Sequence, residues 1–190
     1  MVKFSNFKIQ LVLLACLFAL YSCDKVKDTT KTEINVESAS IELDEITVSA
    51  TKSTADDDLN PFAASQIIKL EDIQGMSSDA VKYRSQIESA EVGPVSIEIT
   101  TTDDNGTVVK KFILQATGIG SNFTVDEYKL KEVYTPDMEK LQTFANQLLM
   151  KLFVSNSVEV SASGLTDIIS GEKLIIKITM KDIKLVANLL

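Results

Sequence analysis

Between Val95 and Ala116 the chain alternates apolar and polar residues on both sides of a turn sequence, and this limits its fold more than any other feature. Val95, Ile97 and Ile99 interleave with Ser96, Glu98 and Thr100. Asp103-Asp104-Asn105-Gly106 follows, and Val108, Phe112, Leu114 and Ala116 return on one face, with Lys110 the exception. A period of two sends successive side chains to opposite faces of a strand, one buried and one wet. Asn-Gly between two such runs supplies the positive φ angles a type I′ turn needs, so the segment predicts a β-hairpin.

The same alternation runs through much of the chain. Ile34 and Val36 share one face, then Ile41 and Leu43, then Ile46, Val48 and Ala50, each phase change implying a bulge or a break. Ser53 to Pro61 is polar, carries Asp56-Asp57-Asp58 and reads as a loop, with a short strand expected at Ile67 to Leu70. Ser77-Ser78-Asp79 can cap a helix that places Ala80, Tyr83, Ile87 and Ala90 on one side, and Gly93-Pro94 ends it. Phe123 to Tyr134 reads as a charged, half-exposed strand. Thr135-Pro136-Asp137 is a helix start, and Leu141, Phe144, Ala145, Leu148, Leu149 and Leu152 form an apolar stripe at helical spacing, most simply a core face. Asn156 and Ser157 end that helix. Val158, Val160 and Ala162 make a strand, and Leu174, Ile176, Ile178 and Met180 a longer one. The phase then moves to Ile183, Leu185 and Ala187, which predicts a bulge near Asp182.

Strands outnumber helices, connections are short, and helices do not alternate regularly with strands, which argues against a doubly wound parallel sheet. The expectation is a mainly β fold: an antiparallel β-sandwich, with an immunoglobulin-like arrangement as one form, two inserted helices, and helix 136–153 closing one open side. The alternative is an α+β layer with that helix lying on a single antiparallel sheet.

The N-terminal segment carries a different signal. Lys3 and Lys8 precede the apolar run Ile9 to Tyr21, and Leu20-Tyr21-Ser22-Cys23 is followed at once by Asp24-Lys25. The run is too short to span a bilayer, which needs about 20 apolar residues. It resembles a bacterial lipoprotein signal peptide. Leu20 and the small Ser22 match the pattern before the cysteine, and Tyr21 is bulkier than usual. Leu13-Leu14-Ala15-Cys16 is a rival match with a shorter apolar core. The resemblance implies cleavage after residue 22, lipidation of Cys23 and attachment to a membrane through it. The organisation is then 1–22 signal peptide, 23–32 flexible tether and 33–190 one β-rich globular domain. Asp28-Thr29-Thr30 is similar to the acceptor pattern of general O-glycosylation in Bacteroidetes, which makes Thr29 the candidate glycan site.

Composition excludes several chemistries. The chain has no histidine and no tryptophan, and its two cysteines are Cys16 and Cys23. One leaves with the signal and the other takes the lipid, so the mature domain has no disulfide and no free thiol. Without His and Cys the usual zinc, copper and iron sites cannot form, and the commonest general base is missing. The expectation is no metal, no cofactor and no catalytic residue. Losing Lys3 and Lys8 with the signal deepens the net charge from −8 to −10, a poor match for nucleic acid.

Other motifs are weak. Ser49-Ala50-Thr51-Lys52 fits the S-x-x-K of penicillin-recognising enzymes but ends a strand and has no partner motif. Leu43 to Lys52 resembles the TonB-contacting segment of outer-membrane receptors, yet the chain lacks a barrel-sized region, and an ordinary sheet strand is the simpler reading. Asp103, Asp104 and Asn105 lack the further ligands of a calcium loop, so a plain turn is expected there, and Asp56-Asp57-Asp58 reads as a solvated loop. The resulting expectation is a lipid-anchored cell-envelope protein, similar in composition to small Bacteroidetes-type lipoproteins. Its non-catalytic β-rich domain binds or scaffolds an envelope protein or glycan, with placement at the outer membrane. The alternatives are a carboxylate-based hydrolase of envelope glycans or peptides, and a surface adhesion or fimbria-associated subunit.

Overall fold

A computed structural model describes residues 31–50, 59–101, 108–130 and 138–189. Among these residues, eight strands form two antiparallel sheets. In the first, β1 (Lys31–Thr47) pairs with β8 (Lys173–Asn188), and the other side of β8 is shared end to end by β3 (Ile87–Glu91) and β4 (Val95–Thr101). In the second, the order is β2 (Asn60–Lys69), β7 (Ser157–Thr166), β5 (Val108–Ala116) and β6 (Phe123–Lys129). The two sheets approach at one edge, where Val48 bridges to Phe62. A short helix, α1 (Ser78–Lys82), precedes β3, and a long one, α2 (Met138–Ser155), joins β6 to β7. This is the β-sandwich with two inserted helices that the alternation predicts.

The core lies between the sheets. Ile176, Ile178 and Met180 of β8, with Ile97 and Ile99 of β4, face Phe112 and Leu114 of β5 and Val160 of β7, all essentially inaccessible to water. α2 adds the apolar stripe from Leu141 to Phe153 and contacts strands of both sheets, closing one side. Burying a side chain of this size contributes about 1.5–3 kcal/mol, so the stripe secures the helix without exceptional helix propensity. Phe62 lies against Gly164, where a Cβ would fall 2.9 Å from the ring, so only glycine leaves room for it.

A crease crosses the first sheet. The core-facing phase slips from Val36 to Ala39 on β1 and from Met180 to Ile183 on β8, with Asp182 at a φ of 51°. On the far side β3 gives way to β4 at Val92-Gly93-Pro94. The amide of Gly93 donates to the Lys181 carbonyl at 2.9 Å, and the Lys181 amide to the Pro94 carbonyl at 3.0 Å. A Cβ on Gly93 would sit 2.8 Å from that Lys181 oxygen. α2 holds the crease: Asn146 Oδ1 accepts from the Val92 amide at 2.7 Å, and Gln142 Nε2 donates to the Gly93 carbonyl at 2.6 Å.

Several expectations need correction. β4 and β5 do not form a hairpin. They belong to different sheets, and the connection containing Asn105-Gly106 lies outside the described residues. On β5 the buried residue is Val109 rather than Val108, because a bulge at Lys111, φ 51°, shifts the phase. The strand expected at Ile67–Leu70 is β2, and it begins at Asn60, inside the segment read as a loop. Pro61 is tolerated there because β2 is an edge strand. α1 ends at Lys82, so Ile87 and Ala90 sit on a strand instead of a helix. Ser77 does cap α1, its Oγ accepting from the Ala80 amide at 3.1 Å. β1 begins at Lys31, so the last two residues assigned to the tether are already sheet. β6 stops at Lys129, and the helix start at Thr135-Pro136-Asp137 lies outside the described residues.

Candidate interaction surface

Cys23 and Thr29 both lie outside the described residues, so the surface is built from the strand they lead into. β1 is the longest strand and pairs with β8 from Lys31↔Asn188 to Thr47↔Lys173. Its alternating residues explain this: Ala39, Ile41, Leu43 and Ile46 are buried, while the intervening side chains meet solvent.

The two halves of β1 differ on the side away from β8. The C-terminal half is covered. Ser40 and Gln74 exchange backbone hydrogen bonds at 2.9 and 3.0 Å, the Asp44 amide donates to Gln66 Oε1, and the Ser49 amide donates to the Pro61 carbonyl. Between these ties a cavity of about 300 Å³ opens over Ile41 and Ile68, rimmed by Glu42, Asp44 and Asp72. Among the described residues, no strand pairs with the outer side of β1 from Lys31 to Glu37. Of those seven residues only Val36 is buried, with Ile34 partly so.

The end of the sheet nearest the tether is polar. Lys31 Nζ lies 3.2 Å from Glu88 Oε2, and Asn188 Nδ2 donates to Glu88 Oε1 at 3.2 Å. The ion pair is half exposed, a setting in which such pairs contribute at most about 1 kcal/mol. Elsewhere on the surface the Lys82 ammonium lies 4.8 Å from the Tyr83 ring centre, and its pKa is raised above 10.5, first by the side-chain contact with Tyr83.

The motifs read from sequence are dispersed. Ser49 follows a strand, and Lys52 lies outside the described residues. Leu43 and Ile46, from the segment resembling a TonB contact, are 3% and 1% exposed within the sheet, so strand addition there would require peeling β1 away. Asp56-Asp57-Asp58 and Asp103-Asp104-Asn105 lie outside the described residues. Among the described residues, no three Asp or Glu side chains group as a metal site would require, and no helix is long and apolar enough to cross a membrane. Sequence reasoning read Ile34 and Val36 as one strand face but assigned Lys31 and Thr32 to the tether, and it did not foresee that the outer side of this stretch would lack a partner strand among the described residues.

No family model matches the chain, and no curated protein matches it. Among solved structures it is similar to the decameric BFDV capsid protein, with 9% identity and a TM-score of 0.39 over 82% of this chain and 98% of that one. A likeness of this size carries nothing about function.

Proposed function

We propose that this chain is a lipid-anchored cell-envelope protein whose β-rich domain binds or scaffolds another envelope component without catalysing a reaction. The observation that carries the reading is the short path from Cys23 to β1. Lys31 follows Cys23 by eight positions, so even a fully extended tether reaches only about 27 Å. A lipid at Cys23 therefore holds the polar end of the first sheet close to a bilayer face. Any pull on the tether runs into the longest strand, which is zipped to β8 along its length. An acidic domain is repelled by anionic head groups, so the acyl chains supply the attachment, at about 0.8 kcal/mol per buried CH₂. Outer-membrane placement, a Bacteroidetes-type source and a glycan on Thr29 belong to the same reading. Metabolic labelling with palmitate tests it: wild-type protein takes up label, and Cys23→Ala does not. Equal labelling of the two overturns the anchor.

A second reading, an assembly subunit, is favoured by the outer side of β1 from Lys31 to Glu37, which has no strand against it among the described residues. Exposed strand edges are templates for strand addition.

A further inference from the structure

We infer that the Lys31–Glu37 edge of β1 pairs antiparallel with the same edge of a second copy, in a register centred on Ile34; this deepens the assembly reading and rests on it. The other edge of this sheet is tied at three points. Asn146 takes the Val92 amide, Gln142 takes the Gly93 carbonyl, and the Tyr128 hydroxyl takes the Ile99 amide. The C-terminal half of β1 is tied to Gln74, Gln66 and Pro61. Among the described residues, the outer side of Lys31-Thr32-Glu33-Ile34-Asn35-Val36-Glu37 has no strand against it.

Charge complementarity fits a second copy and favours this register over its two neighbours. With Ile34 opposite Ile34, Lys31 of each copy faces Glu37 of the other, Thr32 faces Val36, and Glu33 faces Asn35. Two opposite-charge pairs form, and no like charges meet. Moving the centre to Asn35 sets Glu33 against Glu37 twice, and moving it to Glu33 sets Glu33 against itself. Directly opposed like charges destabilise a strand pair, so the glutamates that disfavour the two adjacent registers permit this one. The pairing joins two sheets into one through β8-β1-β1-β8. Anchoring both copies through Cys23 on one membrane raises their effective concentration and favours the contact.

Carbodiimide cross-linking of the full-length protein in vesicles tests the pairing, because it joins a lysine directly to a carboxylate. Lys31 and Glu37 of one chain are six residues apart along a strand, about 20 Å, beyond side-chain reach. A peptide joining Lys31 to Glu37 can therefore arise only between copies. The Lys31–Glu88 pair, 3.2 Å apart within one chain, gives an internal control in the same digest. The expected result is both linked peptides. In detergent, Lys31→Glu weakens the dimer roughly tenfold or more, and Lys31→Glu combined with Glu37→Lys restores it, although only the copy-to-copy pair is rebuilt by the swap. Lys31–Glu88 links without Lys31–Glu37 links overturn the pairing, as does a dimer indifferent to both variants. Loss of palmitate label with the Lys31–Glu37 link retained refutes the anchor and leaves the pairing standing.

Discussion

The hydroxyl of Tyr128, on β6 of the second sheet, accepts a hydrogen bond from the backbone amide of Ile99, on β4 of the first, at 3.0 Å. Ile99 is 0% exposed and Tyr128 2%, so the Ile99 amide has no water to turn to if the hydroxyl is removed. Tyr128→Phe keeps the ring and deletes this acceptor. Leaving a buried donor unpaired costs about 1–3 kcal/mol, which lowers Tm by roughly 2–10 °C for a domain of this size. Thermal unfolding followed by circular dichroism measures it. An unchanged Tm means the bond contributes nothing.

Asn146→Ala frees the Val92 amide at the crease, and a loss of about 1–3 kcal/mol is expected in urea unfolding. Gly93→Ala acts on the same place by crowding, since its Cβ would stand 2.8 Å from the Lys181 carbonyl oxygen. The expected loss is again about 1–3 kcal/mol, the usual range for overpacking. If Asn146→Ala unfolds at the wild-type midpoint, α2 does not hold the crease; if Gly93→Ala does, the close approach to the Lys181 carbonyl is not there.

Lys111 occupies a left-handed conformation, φ 51°, that a long side chain rarely adopts. Lys111→Gly removes a steric cost of about 1–2 kcal/mol and adds some backbone entropy to the unfolded chain, so a net gain of up to about 1 kcal/mol is expected. Destabilisation in the same urea assay contradicts a bulge at this residue.

The Lys31–Glu88 ion pair is half exposed on both sides. Glu88→Gln is expected to change stability by less than about 1 kcal/mol, and less still in high salt. A larger loss, read from the shift in urea midpoint, would mean that the polar end of the sheet is tighter than its exposure implies.

How far the fold was legible depended on which strands had a dry face. β8 was readable because every core position from Leu174 to Ala187 is apolar and its one phase slip falls at Asp182, as the pattern indicated. α2 was readable for the same reason, its stripe being buried from Leu141 to Phe153. β2 was not, because Ala63, Ala64, Ser65 and Gln66 give weak alternation and Ile67 points outward at 64% exposure. The Asn-Gly turn misled for a different reason. Turn chemistry favours a reversal of the chain but says nothing about which sheet the returning strand enters, and β5 crosses to the second sheet. The start of β1 at Lys31 and Thr32 was hidden by its composition, since polar residues at a sheet edge and in a tether read alike, and alternation does not tell an open edge from a paired one.

Intact-mass spectrometry of the protein extracted from its native membrane bears most directly on the anchored-scaffold reading. A chain beginning at Cys23 and carrying the added mass of a diacylglyceryl group, with or without a third acyl chain, is the expected result. A chain that still begins at Met1, or one whose Cys23 carries no lipid, contradicts it.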